Sequence, residues 1–160
     1  MPLYHGSGRI YQSGDVIEPP AGGPMYPEVV VALEAARPRG APSRWACVFA
    51  AESVVAATAF AHGQQIDIDP TVYVYEVEME PSFRAPFALV HEIRERLKKG
   101  LNPDSLVNEY WTRVSVQDWV MWEVFGPSFK VICSVTPENL GKVYLFKERY
   151  DADRKVCASL

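Results

Sequence analysis

The clearest pattern along the chain is the alternation of apolar residues with Glu76 and Glu78 in the segment 71–79. This segment is also rich in β-branched and aromatic residues, and the combination predicts a strand with one exposed face. More uniformly apolar runs predict further strands. These are the opening residues Leu3-Tyr4, the segments 44–50 and 128–135, and a last strand near 142–147.

Apolar residues at helical spacing occur between these strands. They predict helices over 27–36, 52–62, 88–99 and around 106–111, although the first and the last of these could also be strands. Segment 114–125 fits neither pattern clearly, and the charged residues 150–160 predict a frayed end. Short strands with segregated helices predict an α+β fold, formed as a single domain over residues 1–160.

Composition narrows the class of protein. The chain has 160 residues, of which 48% are hydrophobic and 22% charged, as in an ordinary globular domain. Its three cysteines lie far apart, which argues against a disulfide framework or a zinc site and predicts a reducing, cytoplasmic setting. We expect no metal and no membrane partner, since neither ligand spacing nor a long apolar run is present. A net charge of −4 disfavours nucleic acid as a partner unless a local basic patch overrides it.

The first candidate for chemistry is His5, which follows Leu3-Tyr4 and precedes Gly6 and Ser7. The apolar lead predicts a histidine at the end of a strand, where a glycine lets a ligand or another backbone come close. A turn histidine with one satisfied hydrogen bond is the structural alternative. His5 becomes a candidate for a functional site only if a carboxylate from a later segment lies beside it.

Two glutamates compete for that role, Glu109 and Glu123. Glu123 is flanked by apolar residues, and burying a carboxylate there is costly without partners, which is easier to understand at a site than in a core. The structural alternatives are a rim carboxylate paired with an arginine such as Arg113 for Glu123, and a solvated helix face for Glu109.

In their order along the chain, these segments resemble the motifs of the ADP-ribosyltransferase superfamily. The resemblance is to its diphtheria-toxin-like branch, which includes poly(ADP-ribose) polymerases and the small rifampin-modifying transferases. Tyr4-His5-Gly6-Ser7 looks like the first motif, and segment 45–50 with the small-residue helix after it looks like the second. Segment 14–19 resembles the turn that follows the histidine motif in the antibiotic-modifying members. For the third motif we favour Glu123, similar in context, over Glu109, similar in letters only.

The resemblance implies a split antiparallel sheet and NAD as the substrate. It implies that His5 bonds the adenosine ribose and that Gly6 and Ser7 hold the nicotinamide end. The glutamate would stabilise the positive charge that develops as nicotinamide leaves. In the family a tyrosine stands where this chain has Val48, before Phe49. Further candidate NAD contacts are Arg9 and Arg44 for the pyrophosphate and Phe60, Tyr26, Tyr73 or Tyr75 as the stacking ring.

The expected function is therefore transfer of a single ADP-ribose from NAD, with release of nicotinamide. The acceptor would be a protein, a nucleic acid or a small molecule. The enzyme would act in its own cell, or as a toxin or effector in a target. The departure at Val48 motivates an alternative, a module that binds NAD or ADP-ribose with weak or no transfer activity. An RNA 2′-phosphotransferase-like enzyme is a further alternative, disfavoured because the arginines near His5 lack the expected spacing.

Overall fold

A computed structural model describes residues 1–64, 71–113 and 119–160. In these residues the strands are β1 (Leu3–Ser7), β2 (Val16–Ile17), β3 (Val48–Ala51), β4 (Tyr73–Glu78), β5 (Phe83–Pro86), β6 (Trp122–Gly126) and β7 (Phe129–Val135). The helices are α1 (Pro27–Ala35), α2 (Val54–Gln64), α3 (Ala88–Lys98), α4 (Asp104–Thr112) and α5 (Leu140–Ala158), with a 3-10 turn at Arg44–Ala46.

The strands form one antiparallel sheet in the order β2-β7-β4-β1-β3-β6-β5. This sheet is nearly divided at its centre. β1 pairs with β4 along its whole length, whereas its register with β3 consists of Tyr4 opposite Ala51 alone. The expected α+β class with an antiparallel sheet is confirmed.

The two faces of the sheet bury different cores. Side chains of paired residues point to the same face, and neighbours along a strand point to opposite faces. The register places Tyr4, Ala51 and Glu123 in one row on the face that the helices cover, here called the helical face. His5 and Val124 therefore lie on the opposite side, here called the inner face. The inner-face residues of both halves of the sheet form one hydrophobic cluster, which contains Val48, Ala50, Tyr75, Val77, Met79, Val124, Phe129 and Val131.

Helix α2 packs so closely on β1 that its position explains Gly6. A Cβ atom at Gly6 would lie 1.9 Å from the Ala57 carbonyl oxygen. Ala57 and Ala61 of α2 are 1% and 0% exposed, and their small side chains permit this approach. The need for a glycine at position 6 therefore has a packing cause on the helical face, independent of any ligand.

Most predicted elements are confirmed, including the alternating strand, the strand over 128–135 and the helices near 27–36, 52–62 and 88–99. Segment 106–111 is helical and belongs to α4. The prediction of a strand over 44–50 is wrong in its first half, because Arg44–Ala46 is a 3-10 turn and β3 begins at Val48. Within the unassigned segment 114–125, β6 begins at Trp122, and residues 114–118 lie outside the described residues.

The C-terminal predictions are wrong. Neither the strand near 142–147 nor the frayed end over 150–160 is present, since helix α5 spans both segments to Ala158. Two buried residues hold its later turns. The Asp153 carboxylate accepts hydrogen bonds from the backbone N–H groups of Val120 and Met121, at 3.0 and 2.9 Å, and Cys157 is 0% exposed in the helical-face core. None of the helices in the described ranges has the length and apolar composition needed to cross a membrane.

Candidate functional site

His5 lies on the inner face and spans the division between the two halves of the sheet. Its Nδ1 atom is 2.8 Å from the Phe49 carbonyl oxygen of β3, and its ring centroid lies 4.6 Å from that of Phe129. Burial lowers the pKa of His5, and the hydrogen bond to Phe49 offsets this only in part. Because a carbonyl oxygen only accepts, Nδ1 carries the proton of the neutral ring, and Nε2 is a hydrogen-bond acceptor.

The loop after β1 is anchored beside His5 by Tyr75. The Tyr75 hydroxyl accepts a hydrogen bond from the Tyr11 N–H at 3.0 Å and donates one to the Arg9 carbonyl oxygen at 3.1 Å. The buried Ser7 hydroxyl accepts a hydrogen bond from the Arg9 N–H at 3.0 Å. Tyr75, suggested as a possible stacking ring, therefore holds the backbone of this loop.

The second motif divides between the two faces. Val48 and Ala50 point to the inner face, with His5, whereas the Phe49 ring points to the helical face and lies 5.7 Å from the Phe125 ring. Phe60 packs against Phe87 at 4.4 Å, on the helical side of the sheet. The structure therefore does not bring Phe49 or Phe60 to the His5 side.

Tyr73 is the suggested stacking ring that shares the inner face with the first motif. It is paired in register with Ser7 and packs against the inner-face cluster. Tyr26, another suggested stacking ring, does not lie beside the first motif. Its ring is 5.3 Å from the ring of His91.

Glu123 lies on the helical face, in a buried network with Arg44 and Tyr110. Its Oε1 atom accepts hydrogen bonds from the Arg44 guanidinium and, at 2.5 Å, from the Tyr110 hydroxyl, while Arg44 also donates to Tyr110. Arg44, Tyr110 and Glu123 are 4%, 0% and 4% exposed. Here these three residues are called the Arg44 network. It joins the 3-10 turn, α4 and β6.

The charges within the Arg44 network are compensated internally. Burial lowers the pKa of Arg44, but Glu123 and Tyr110 raise it more, so the guanidinium stays charged. Burial, followed by the negative charge of Glu123, raises the pKa of Tyr110, which keeps its hydroxyl proton for donation to Glu123. Arg44 Nε is buried and has no hydrogen-bond partner among the residues that the structure describes. The geometry is that of a structural ion pair in a core.

Glu109 is also buried on the helical side. It is 3% exposed, and its Oε1 atom accepts a hydrogen bond from the Trp119 indole at 3.3 Å. The expectation of a solvated helix face is therefore wrong. Glu123 does pair with an arginine, as the structural alternative expected, but the arginine is Arg44 and the pair lies in the core, not at a rim. Arg113, the example given, lies over the Phe83 ring at 5.5 Å. The suggestion that Arg44 faces the pyrophosphate is wrong, because Arg44 is buried and pairs with Glu123. No local sequence pattern indicated that pairing.

A cavity of about 600 Å³ opens beside the inner face. Its lining includes the apolar side chains of Leu3, Val77 and Val124. Glu52 and Arg84 also line it, and the Arg84 guanidinium donates to both carboxylate oxygens of Glu52. This volume lies in the range of small-molecule sites, roughly 300–1,000 Å³. Sequence reasoning missed both charged residues, because nothing local to the sequence places them on this face.

Within residues 1–64, 71–113 and 119–160, no group of three or more His, Cys, Asp or Glu side chains is arranged to bind a metal ion. Comparison with known proteins finds no matching family model, no similar curated protein and no similar solved structure. A functional assignment for this chain therefore rests on its own residues and their geometry.

Proposed function

We propose that this chain transfers a single ADP-ribose from NAD to an acceptor and releases nicotinamide. The observation that carries the proposal is the placement of the first two motifs on either side of the divided sheet centre. They are joined there by the hydrogen bond from His5 to the Phe49 carbonyl oxygen. Among the residues that the structure describes, Tyr4 and Ala51 are the one pair in register between β1 and β3, so the rest of this β1 edge is not paired with β3. A ligand amide can bond to such an edge.

The protonation state of His5 supports this use. With Nδ1 held by the Phe49 carbonyl, Nε2 is oriented as an acceptor for a ribose hydroxyl. The nearby cavity is lined by acidic residues, including Glu52 and Glu80. They favour the cationic nicotinamide end of NAD and disfavour its pyrophosphate. Arg9 lies at the other end of β1, beyond Ser7, and is an exposed candidate for the pyrophosphate.

The reaction requires few groups from the protein. The bond between the ribose C1′ atom and the nicotinamide nitrogen breaks, and its electron pair leaves with neutral nicotinamide. The acceptor attacks the positively charged C1′ atom and gives up a proton to a carboxylate or to solvent. Positioning of NAD and a carboxylate beside C1′ supply the rate enhancement.

One observation favours a second candidate function, binding of NAD or ADP-ribose without transfer. Glu123, favoured as the catalytic carboxylate, points to the helical face, and so does not share a face with His5. If Glu123 is the catalytic carboxylate, as the resemblance implies, it lies on the wrong face to act on a ligand beside His5. NAD bound on the inner face would then not be cleaved.

Incubation of the purified chain with NAD distinguishes these functions, with nicotinamide measured by chromatography and NAD binding by calorimetry. We expect nicotinamide release, and we expect His5→Asn to lower kcat/KM roughly tenfold through the lost ribose hydrogen bond. His62→Asn, on α2, is the matched histidine control and should leave the rate unchanged. Binding without release would favour the second candidate, and absence of NAD binding would contradict both functions.

A further inference from the structure

We propose that Glu52 is the catalytic carboxylate of this transfer, an assignment that rests on the proposed function. Glu52 follows β3 directly, within the second motif. Its ion pair with Arg84 and its place in the lining of the inner-face cavity put its side chain on the inner face. Arg84 itself is paired in register with Val124, a member of the inner-face cluster.

A shared cavity brings Glu52 near the strand that carries His5. Glu52, the residue after the end of β3, and Leu3 of β1 both line this cavity. His5 is the next inner-face residue of β1 after Leu3. Residues two apart along a strand lie roughly 6–7 Å apart, so a ligand that fills the cavity beside Leu3 and Glu52 extends toward His5. Glu123, one row away on the helical face, lacks this relation to His5.

Arg84 acts as the positioning residue for this carboxylate. It donates to both oxygens of Glu52, with 2.8 Å between Nη2 and Oε2, and its guanidinium carbon lies 3.7 Å from the centre of the Trp122 ring. A two-point bond of this kind fixes the plane of a carboxylate as well as its position. The Glu52 side chain is still 22% exposed, which leaves it accessible from the cavity.

The proposed role of Glu52 follows from the charge changes of the reaction. As the bond from C1′ to nicotinamide breaks, positive charge develops on the ribose, and a fixed carboxylate beside it stabilises that charge. Glu52 then takes the proton that the attacking acceptor loses, and returns it to solvent after nicotinamide and the product leave. The acceptor provides the new bond to C1′, so no further reactant is needed.

The test compares Glu52→Gln with Glu95→Gln, in which the altered glutamate pairs with Lys98 on the exposed side of α3. Nicotinamide release and NAD affinity are measured for each full-length chain, and circular dichroism checks folding. We expect Glu52→Gln to lower kcat roughly 100-fold or more with little change in NAD affinity, and Glu95→Gln to match the wild type. Glu52→Asp, which keeps the charge, should recover part of the rate.

Two results would overturn the assignment of Glu52, and both require an active wild-type protein. A wild-type protein without activity would instead contradict the proposed function. A wild-type rate in Glu52→Gln, with active wild-type protein, shows that another group serves as the carboxylate. The same conclusion follows if a folded Glu123→Gln variant loses release while Glu52→Gln keeps it. If the wild-type chain itself releases no nicotinamide, the proposed function fails, and the assignment of Glu52 fails with it.

Discussion

Arg44→Met is expected to lower the free energy of unfolding by about 3–5 kcal/mol, because it removes one partner of a buried ion pair. Glu123 is 4% exposed and accepts hydrogen bonds from both Arg44 and Tyr110. Without the guanidinium, its negative charge remains in a core formed by aromatic rings such as Phe49 and Phe125. Denaturation by urea, followed by circular dichroism, measures the loss.

Two control variants show whether the loss comes from the unpaired charge. Arg44→Met combined with Glu123→Gln removes both charges, so the double variant should be more stable than Arg44→Met alone. Arg94→Met removes a partly exposed arginine paired with Glu28, and should change stability little. A small effect of Arg44→Met, or no recovery in the double variant, would contradict the structural role of the Arg44 network.

Gly6→Ala is expected to destabilise the fold by about 1–3 kcal/mol or more, as overpacking of a close contact does. The added Cβ atom would lie 1.9 Å from the Ala57 carbonyl oxygen and 2.7 Å from the Ala57 carbonyl carbon. Both are backbone atoms of α2, so relief requires the helix to move away from β1. Thermal unfolding of the variant without any ligand measures the effect.

Gly22→Ala is the matched control for this substitution. A Cβ atom at Gly22 would have no non-neighbouring heavy atom within 4 Å in the described part of the chain, so the melting temperature of this variant should stay near that of the wild type. If Gly6→Ala melted like the wild type, the contact with Ala57 would not explain the glycine. Its requirement would then lie in ligand binding, as the resemblance implies.

Local sequence patterns predict the elements of this fold where one face is exposed. The strand around Glu76 and Glu78 alternates cleanly, because one side of β4 is covered less completely than the other. Segment 44–50 looked like one buried strand because it is mostly apolar. Its first residues instead form a 3-10 turn, which places Arg44 in the helical-face core. The structure of segment 142–160 depends on contacts that Asp153 and Cys157 make with residues distant in sequence, and a local sequence pattern does not reveal such contacts.

The site was harder to predict than the fold because it depends on register. Sequence reasoning predicted a strand at His5, although it put His5 at the strand end and not at its centre, and it left the segment of Glu123 unassigned. Even a correct strand assignment does not fix the face, because a shift of one residue moves a side chain to the other face of a sheet. The pairs of Tyr4 with Ala51 and Ala51 with Glu123 decide that question. They put Glu123 with Arg44, and they leave Glu52 as the carboxylate of the second motif on the His5 side.

The central claim is that NAD binds on the inner face, and nuclear magnetic resonance of methyl-labelled protein during titration with NAD tests it most directly. The inner-face methyl groups of Leu3, Val77 and Val124 should shift with the ligand. The resonances of the Leu33, Leu89 and Leu106 methyl groups, which are buried in the helical-face core, should not shift. Shifts confined to the helical-face methyl groups, or no shift at saturating NAD, would contradict the account.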